Sequence, residues 1–538
     1  MHHWFDARHV ASVSLLLILS ACGGGDGNDP VTTGVSTNAV SFHADAPDAA
    51  APASQTVTAT FASKVVQLAV IHSGDGVERV SYTLAGNSAV VTIEPSSPSL
   101  IGAGEYSGAV AITGYVCADA KCQTLAPGNT LSVKVTYEVA PAVRLVAPDV
   151  ATANVAGRAI IHGAGFANFA VSGVMFGSTP ATSFTVVSDT ELQALYPALA
   201  AGSYPVEIAV STYQGTISTT ATLDVLDPVP YTAAALNYPA ASPAIHTLLY
   251  DATRSSLIVA TDIGGGTLVR YPYVNGAWGA PESVAVSSLK DVALSTNSAQ
   301  LLAVSPSELT PINADTLETQ TAIAPPALPS GNFLTGIAVA NTNRAVLTTS
   351  DGTSDATLPY VYDAASRTMT QQVIGLVNAS AGTSADGTQV ILTQGDPSFT
   401  TDPAVYFYDA STEVISALLV AANQKTITPA LDTHATRVVL NGVSVYDTIA
   451  FTLLGTLPST TLAVVFNPDG TRAYTYDSTG AVLTFDTSTD MTGAAFTQIG
   501  APLALAANPG DAVKMTISPD GNTLFLAGSS QLVIQPAP

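Results

Sequence analysis

Short apolar stretches alternate with small polar residues along nearly the whole chain. Gln55–Phe61, Val65–Ile71 and Leu131–Val139 alternate apolar and polar side chains, a period of two that is typical of half-buried β-strands. The chain is also rich in Val, Thr, Gly and Pro, residues that favour strands and turns over helices. No long segment has the helical period of about 3.6 residues. The pattern therefore predicts an all-β protein.

One short element recurs from about Pro243 to Pro538. It is an apolar stretch ending in an aromatic or aliphatic residue, followed by Asp or Asn and then small polar residues. The copies are Ile312-Asn313, Tyr362-Asp363, Tyr408-Asp409, Tyr446-Asp447 and Phe485-Asp486. Their Asn and Asp positions are 50, 46, 38 and 39 residues apart, which is the range of four-stranded propeller blades. We interpret the element as scaffold, because a turn residue follows a strand in each copy.

Asp-Gly turns are expected between the first and second strands of three blades, at Asp386-Gly387, Asp469-Gly470 and Asp520-Gly521. Asp-Gly suits the positive φ of a hairpin turn. With the Tyr-Asp element, these turns resemble the blades of WD40-like, YVTN-type bacterial propellers, which implies a β-propeller over residues 229–538. The spacing of the strand patterns predicts seven blades. The last blade lacks a fourth strand, and we predict that the spare strand near Tyr231–Tyr238 fills its place and closes the ring.

Two smaller β domains are predicted upstream of the propeller. Residues 37–140 contain strand patterns separated by turns, as in an antiparallel sandwich, and resemble Ig-like modules of the BACON type. Residues 141–228 contain Gly163-Ala-Gly165-Phe166 and, ten residues later, Phe176-Gly177. Gly163 and Gly165 suit a tight turn with positive φ after a core strand. This succession resembles an IPT/TIG domain, which implies a second Ig-like sandwich that serves as a spacer or interaction module. Asp227-Pro-Val-Pro230 is the predicted boundary with the propeller.

The first 36 residues have the pattern of an exported, tethered protein. A basic start and a short apolar stretch precede Leu19-Ser-Ala-Cys22, as in a secretory signal. These four residues resemble a bacterial lipobox, which implies that residues 1–21 are a signal peptide and that Cys22 is lipidated. Gly23 after the cysteine implies outer-membrane rather than inner-membrane placement, by the same resemblance. Residues 22–36 are rich in Gly and Asp, and we expect a flexible tether.

Cys117 and Cys122 are the other two cysteines. In an exported protein, a pair separated by four residues favours a disulfide that closes a small loop. A zinc pair would need two further ligands, and no histidine lies near in the sequence.

Charge narrows the classes of partner. Only 10% of the residues are charged, and the formal net charge is −24. An acidic surface repels phosphate backbones, so we expect no nucleic-acid partner. No segment has the spacing of a calcium-binding EF-hand loop.

The sequence contains no recognisable catalytic set, and we predict no cofactor and no metal. The propeller region has two histidines, His246 and His434, too few for a histidine-rich metal centre. A metal-dependent lactonase would need several carboxylates around the channel, and Asp251, Asp262, Asp291 and Asp432 are candidates that also suit turns. Tyr271, Tyr273 and Trp278 surround Asn275-Gly276. They form either aromatic pairs of a hairpin or a candidate ligand face.

The leading hypothesis is an outer-membrane lipoprotein whose propeller binds a protein or cell-envelope ligand without catalysis. One alternative is a metal-dependent propeller hydrolase or lactonase, so enzymatic activity stays open, although the sequence favours a protein that is not an enzyme. Another is a structural subunit of an envelope assembly.

Overall fold

The computed structural model describes residues 32–119, 125–241, 243–353, 355–394, 405–410, 414–418 and 428–538. The predicted signal peptide, Cys22, most of the tether and Cys122 lie outside these residues. The regular secondary structure of the described residues is almost entirely β-strand, with one four-residue α-helix and one 3₁₀ turn, so the all-β prediction is confirmed. Two compact units are present. The first is built from residues up to Tyr137 without His43–Ala51 and Ser97–Glu105, and the second contains those two segments and everything from Glu138 onward.

The first sandwich has two four-stranded sheets, in the orders β1-β3-β6-β5 and β2-β8-β7-β4. Val57, Val91, Val110 and Val133 are fully buried because alternate residues of each strand face the other sheet. Its elements are β1 (Gly34–Val35), β2 (Ala39–Ala44), β3 (Gln55–Thr60), β4 (Gln67–Ser73), β5 (Val77–Ala85), β6 (Ser88–Pro95), α1 (Pro98–Ile101), β7 (Gly104–Cys117) and β8 (Leu125–Val139). Cys117 ends β7, but its predicted partner Cys122 is not described, so the disulfide stays a prediction.

The second sandwich has two five-stranded sheets, in the orders β14-β15-β11-β9-β17 and β10-β18-β16-β12-β13. Its strands are β9 (Ala142–Ala147), β10 (Val150–Thr152), β11 (Gly157–Ala164), β12 (Val171–Phe176), β13 (Thr179–Pro180), β14 (Ser183–Val186), β15 (Glu191–Tyr196), β16 (Gly202–Val210), β17 (Ser218–Thr219) and β18 (Thr222–Leu226).

The glycines of the second sandwich have two different roles. Gly165 has a φ of +84° and allows the turn that buries Phe166 in the core. Gly163 still lies inside β11, at a bulge, with an ordinary φ. A Cβ on Gly163 would lie 2.0 Å from the carbonyl oxygen of Ala142, so close strand approach requires glycine there. The expectation that both glycines serve a positive-φ turn is therefore wrong for Gly163.

Seven antiparallel sheets follow within the described residues from 234 onward. The elements are β19 (Ala234–Leu236), β20 (Ile245–Asp251), β21 (Ser256–Thr261), a 3₁₀ turn (Ile263–Gly265), β22 (Thr267–Val274), β23 (Ala277–Trp278), β24 (Glu282–Ala285), β25 (Asp291–Leu294), β26 (Gln300–Val304), β27 (Leu309–Asn313), β28 (Phe333–Val339), β29 (Arg344–Ser350), β30 (Tyr360–Asp363), β31 (Thr368–Gln371), β32 (Ser380–Thr383), β33 (Val390–Thr393), β34 (Val405–Asp409), β35 (Val414–Leu418), β36 (Ala430–Leu431), β37 (Arg437–Leu440), β38 (Ser444–Asp447), β39 (Leu453–Thr456), β40 (Thr461–Phe466), β41 (Arg472–Asp477), β42 (Val482–Asp486), β43 (Thr497–Leu503), β44 (Lys514–Ile517), β45 (Thr523–Ala527) and β46 (Leu532–Pro536).

These sheets are the blades of a β-propeller. The innermost strands contact one another in a closed ring, in the order β20, β25, β28, β32, β36, β40, β44 and back to β20. The Tyr-Asp element ends the third strand of its blade, as at Asp363, whose carboxylate accepts hydrogen bonds from the backbone N–H groups of Ala365 and Ser366. Asp447 and Asp486 cap their turns in the same way. The interpretation of this element as turn scaffold is confirmed for these copies.

The ring closes through the predicted spare strand. β19 pairs antiparallel with β46, and Ala235 lies opposite Val533. It thereby becomes the fourth strand of the sheet β19-β46-β45-β44. Tyr231, just before β19, is buried against Phe525 of β45 and stacks on Trp278 at a centroid distance of 5.2 Å. Strand and side chain together join the two ends of the domain.

Removing β19 should destabilise the propeller. A fragment that begins at residue 241 lacks both β19 and Tyr231, whereas a fragment that begins at Asp227 keeps them. We expect the shorter fragment to unfold at a lower urea concentration, because it exposes the edge of β46 and the Phe525 face. Circular dichroism during urea unfolding measures this. Equal midpoints for the two fragments would show that ring closure does not depend on this strand.

Candidate functional site

The propeller encloses a central channel, a cavity of about 1370 Å³. Its walls are the innermost strands of the blades, and one end is lined by Ala147–Gly157 and Tyr196 of the second sandwich. These residues meet the turns that follow the innermost strands, at Ser298, Asp386 and Ser518. The opposite end is formed by the starts of the innermost strands, with His246, Lys290 and Lys514 in its lining. We call these the covered end and the open end.

Arg158 attaches the second sandwich to the covered end. Its Nη2 donates to Asp386 Oδ2 and to the carbonyl oxygen of His434, both at 3.0 Å. Asp386 is 1% exposed, and its Oδ2 also lies 3.2 Å from His434 Nδ1. The other oxygen, Oδ1, accepts from Ser384 Oγ and Thr388 Oγ1. A cation from one domain thus contacts a carboxylate that the propeller has already oriented.

Electrostatics keep Asp386 ionised. Burial acts to raise the pKa of this carboxyl, but hydrogen bonds from His434, Thr388 and Ser384 outweigh burial, and the pKa is lowered. A buried carboxylate that stays charged needs several donors. Arg158 adds a charge-assisted hydrogen bond to this set.

Two further buried groups lie at the same boundary. Burial lowers the pKa of His162, in β11, to about 4, and the Asn341 side chain of the propeller acts in the opposite direction. Burial raises the pKa of Asp149 to about 6, although a hydrogen bond with Ser298 lowers it. His162 is therefore neutral at pH 7 and is part of the contact between the two domains.

Asp291 lies in the channel wall near the open end and connects three blades. Its Oδ1 accepts from Thr247 Oγ1 and from the backbone N–H of Val292, and its Oδ2 accepts from the N–H of Ile337 at 2.9 Å. Gly336 makes room for this carboxylate, since a Cβ there would lie 3.1 Å from Oδ2.

The four candidate carboxylates do not converge. Asp251 bonds Arg254, exposed Asp262 accepts from the N–H of Ala244, and Asp432 accepts from Thr436. Only Asp291 of the four lines the channel. In the residues that the structure describes, no three His, Cys, Asp or Glu side chains form a group that could hold a metal ion. The same residues include no helix long and apolar enough to cross a bilayer.

The aromatic candidates are largely used in packing. Tyr271 is 1% exposed, and its hydroxyl donates to the carbonyl oxygen of Asn237. Tyr273 and Trp278 contact each other and Tyr231. The three side chains therefore belong to the closure of the ring, and the candidate ligand face stays a prediction with only part of Tyr273 and Trp278 accessible.

Sequence reasoning missed Arg158, Lys290 and Lys514. No motif marks them. The one available signal was scarcity, because 16 Lys and Arg residues stand against 40 Asp and Glu. In such a chain, a basic residue in an otherwise neutral strand is unusual.

Comparison with known proteins supports the class of the second sandwich. Residues 141–225 match the IPT/TIG domain family, so the second sandwich is a TIG domain. The chain is structurally similar to the Cps50 (Swd1) β-propeller domain of Myceliophteria thermophila, at 10% identity and a TM-score of 0.42, covering 57% of this chain and 100% of that one. It is also similar to U3-55K, at 12% identity and a TM-score of 0.43, covering 57% and 98%.

A third similar structure is the Dos1 propeller, at 13% identity and a TM-score of 0.41, covering 54% of this chain and 78% of that one. These likenesses concern the fold alone. Among curated proteins, no match is found. The family match and the closed ring of sheets together define a protein with an Ig-like TIG domain and a β-propeller.

The contact of Arg158 with Asp386 should be worth far more than a surface ion pair. We expect Arg158→Gln to lower the free energy of unfolding by about 1–3 kcal/mol, because Asp386 loses a charged donor in a buried place. Arg79→Gln is the matched control. Arg79 and its partner Glu94 are 71% and 45% exposed, and such pairs contribute about 0–1 kcal/mol. Equal effects of the two substitutions on urea unfolding would contradict a buried, coupled contact.

His162 and Asp149 should give opposite pH dependences of stability. His162 has a folded pKa below its unfolded value of 6.5. As pH falls from 6.5 to about 4, the unfolded chain takes up a proton that the folded chain does not, so this group costs stability in that window. Asp149 has a folded pKa above its unfolded value of 3.8. Its contribution is present below pH 3.8 and is lost as pH rises through about 6.

Urea unfolding at several pH values between 7 and 4 separates the two groups. Relative to wild type, His162→Gln should become progressively more stable as pH falls, by up to about 2–3 kcal/mol. Asp149→Asn should become progressively less stable over the same range. Parallel curves for the two variants would show that these side chains are not buried as described.

Proposed function

We propose that this protein is a lipoprotein, anchored in the bacterial outer membrane through Cys22, whose propeller binds a protein or cell-envelope ligand without catalysing a reaction on it. The two Ig-like modules separate the propeller from the anchor in the chain. The lipobox resemblance supports the anchor, and the TIG domain and propeller support a binding or scaffold role.

The observation that carries the binding role is the asymmetry of the channel. Arg158, His162 and Asp149 hold the TIG domain against one end of the propeller. At the other end, within the residues that the structure describes, exposed Leu462 and Lys290 line the mouth beside the starts of innermost strands. A fixed spacer on one face leaves the opposite face as the place for a ligand.

The other two functions find less support. A metal-dependent hydrolase requires carboxylates that converge on one mouth of the channel, but of the four candidates Asp251, Asp262, Asp291 and Asp432 only Asp291 lines the channel. A structural subunit of an envelope assembly would use the same open face, but would bind its partner permanently. Co-purification of a stoichiometric partner in mild detergent distinguishes permanent assembly from reversible ligand binding.

Anchoring and binding can be tested in one bacterial host. Cys22→Ala should abolish incorporation of a clickable palmitate and shift the protein from the outer-membrane to the soluble fraction.

For binding, a photo-crosslinking amino acid at Leu462, which is 52% exposed at the open end, should capture an envelope component. The matched control is Val373, also apolar and 99% exposed but outside the channel lining. Equal capture from both positions would contradict ligand binding at the open end.

A further inference from the structure

Basic side chains gather at the open end of a channel in a strongly acidic protein. The described lining contains two lysines, Lys290 and Lys514, together with His246. His246 and Lys514 lie at the starts of β20 and β44, and Lys290 immediately precedes β25. These strands are neighbours in the ring, with β20 in the middle. His246 therefore lies between the two lysines.

Local backbone structure directs these residues toward the mouth. The pairing of β20 with β21 shifts register between Ile245 and Thr247, so His246 is a bulge residue, and bulges re-aim side chains. The segment before Lys290 is held by hydrogen bonds from the Ser288 and Val286 N–H groups to Gly265 and Gly266. A Cβ on Gly266 would lie 2.1 Å from the carbonyl oxygen of Val286, so these two loops are tightly fitted.

In the described residues the two lysines form no ion pair, although the charge of Lys514 acts to lower the pKa of the buried Asp291 carboxyl. The two acidic groups nearby are Asp262 and Asp291. Asp291 directs its oxygens at Thr247 and two backbone N–H groups, and Asp262 accepts from the Ala244 N–H. Their hydrogen bonds serve the scaffold.

Charge is also graded along the channel. Of the other carboxylates in its lining, Asp149 and Asp386 lie at the covered end against the TIG domain, and Asp469 lies in a turn at the same end. An anion entering the open end meets Lys290 and Lys514 first. Apart from Asp291, whose oxygens accept from Thr247 and two backbone N–H groups, the carboxylates of the lining that would favour a cation lie deeper, at the end that the TIG domain covers.

We propose that the open end of the channel binds an anionic oxygen group, a carboxylate or a phosphate, on a small or terminal part of the ligand, with Lys290 and Lys514 as its charge partners and His246 as a hydrogen-bond donor between them. This proposal rests on the proposed binding function and specifies its ligand class. Acidic sugars and phosphorylated glycans both carry such groups.

The environment of His246 agrees with this assignment. Burial lowers the pKa of His246. The charges of Lys290 and Lys514 lower this pKa further, and the charge of Asp262 acts to raise it. An anion placed between the lysines would offset their repulsion, so the pKa of His246 should rise on binding. A purely structural histidine would not respond in this way.

The first experiment is calorimetric titration of the full chain with glucuronate, with glycerol 3-phosphate and with neutral glucose. At least one anion should bind more tightly than glucose, and NMR of His246 should show a raised pKa with the bound anion. Binding of glucuronate alone identifies a carboxylate ligand, and binding of glycerol 3-phosphate alone identifies a phosphate ligand. Absence of binding by both anions overturns the proposal.

Variants test the assigned residues. Lys290→Gln and Lys514→Gln should each weaken the anion about threefold, as expected for partly exposed charge partners, and the double variant about tenfold. Lys134→Gln, an exposed lysine of the first sandwich, makes the same change in net charge and should leave affinity unchanged. Lys290→Arg should retain binding. If the double variant binds as wild type does, or if Lys134→Gln weakens binding equally, the assigned site is wrong.

Crosslinking distinguishes failure of this inference from failure of the proposed function. If the photo-crosslinker at Leu462 captures the same envelope component in wild type and in the double lysine variant, the propeller binds a ligand but not through this anion site. If it captures nothing in either, the proposed function fails, and the titration alone decides the anion site.

Discussion

The pairing of β19 with β46 is the constraint on which the rest of the structure depends. It spans only three residue pairs, from Ala234 to Leu236, so backbone hydrogen bonds alone contribute little. The larger contribution comes from side chains, because Tyr231 brings its ring into contact with Trp278 of the first blade and Phe525 of the last. Aromatic pairs add about 0.5–1.5 kcal/mol each beyond area burial. Closure is thus a small strand stabilised by an aromatic cluster.

Closure also decides where the TIG domain can lie. β18 ends at Leu226 and Tyr231 is already buried in the closing cluster, so a proline-rich linker of a few residues connects the two domains. The last TIG strand must therefore lie near the first and last blades. A small cavity of about 200 Å³ between residues 226–231, Tyr250 and Ser518–Asp520 marks this place. From there the TIG domain extends over the channel to Asp386 and His434, where Arg158 completes the attachment.

Much of the architecture could be predicted from the sequence because it repeats or carries turn chemistry. Blade spacing, the Asp-Gly turns and the missing fourth strand followed from local patterns, and Gly165-Phe166 marked the TIG domain. The candidate site could not be predicted in this way. Arg158 and Asp386 are 228 residues apart, and nothing local to either residue indicates the other. Gly163 was predicted to lie in a turn because glycine is frequent in turns. The structure shows that glycine is needed there because Ala142 of the neighbouring strand comes close to it.

The roles of Asp and Lys in this chain explain why carboxylates were predicted as candidate site residues and the two lysines were not. Asp is frequent in this chain because each blade needs turn caps, so the presence of Asp251 or Asp432 carries little functional information. Lysine is rare and serves no turn. In a molecule of net charge −24, long-range repulsion would discourage any anionic ligand, and salt weakens that repulsion beyond a Debye length of about 10 Å. At the proposed site, Lys290 and Lys514 line the mouth itself, so a bound anion would interact with both charges at short range. Selection would then depend on short-range contacts, and the surrounding acidity would disfavour polyanions too large to enter the mouth.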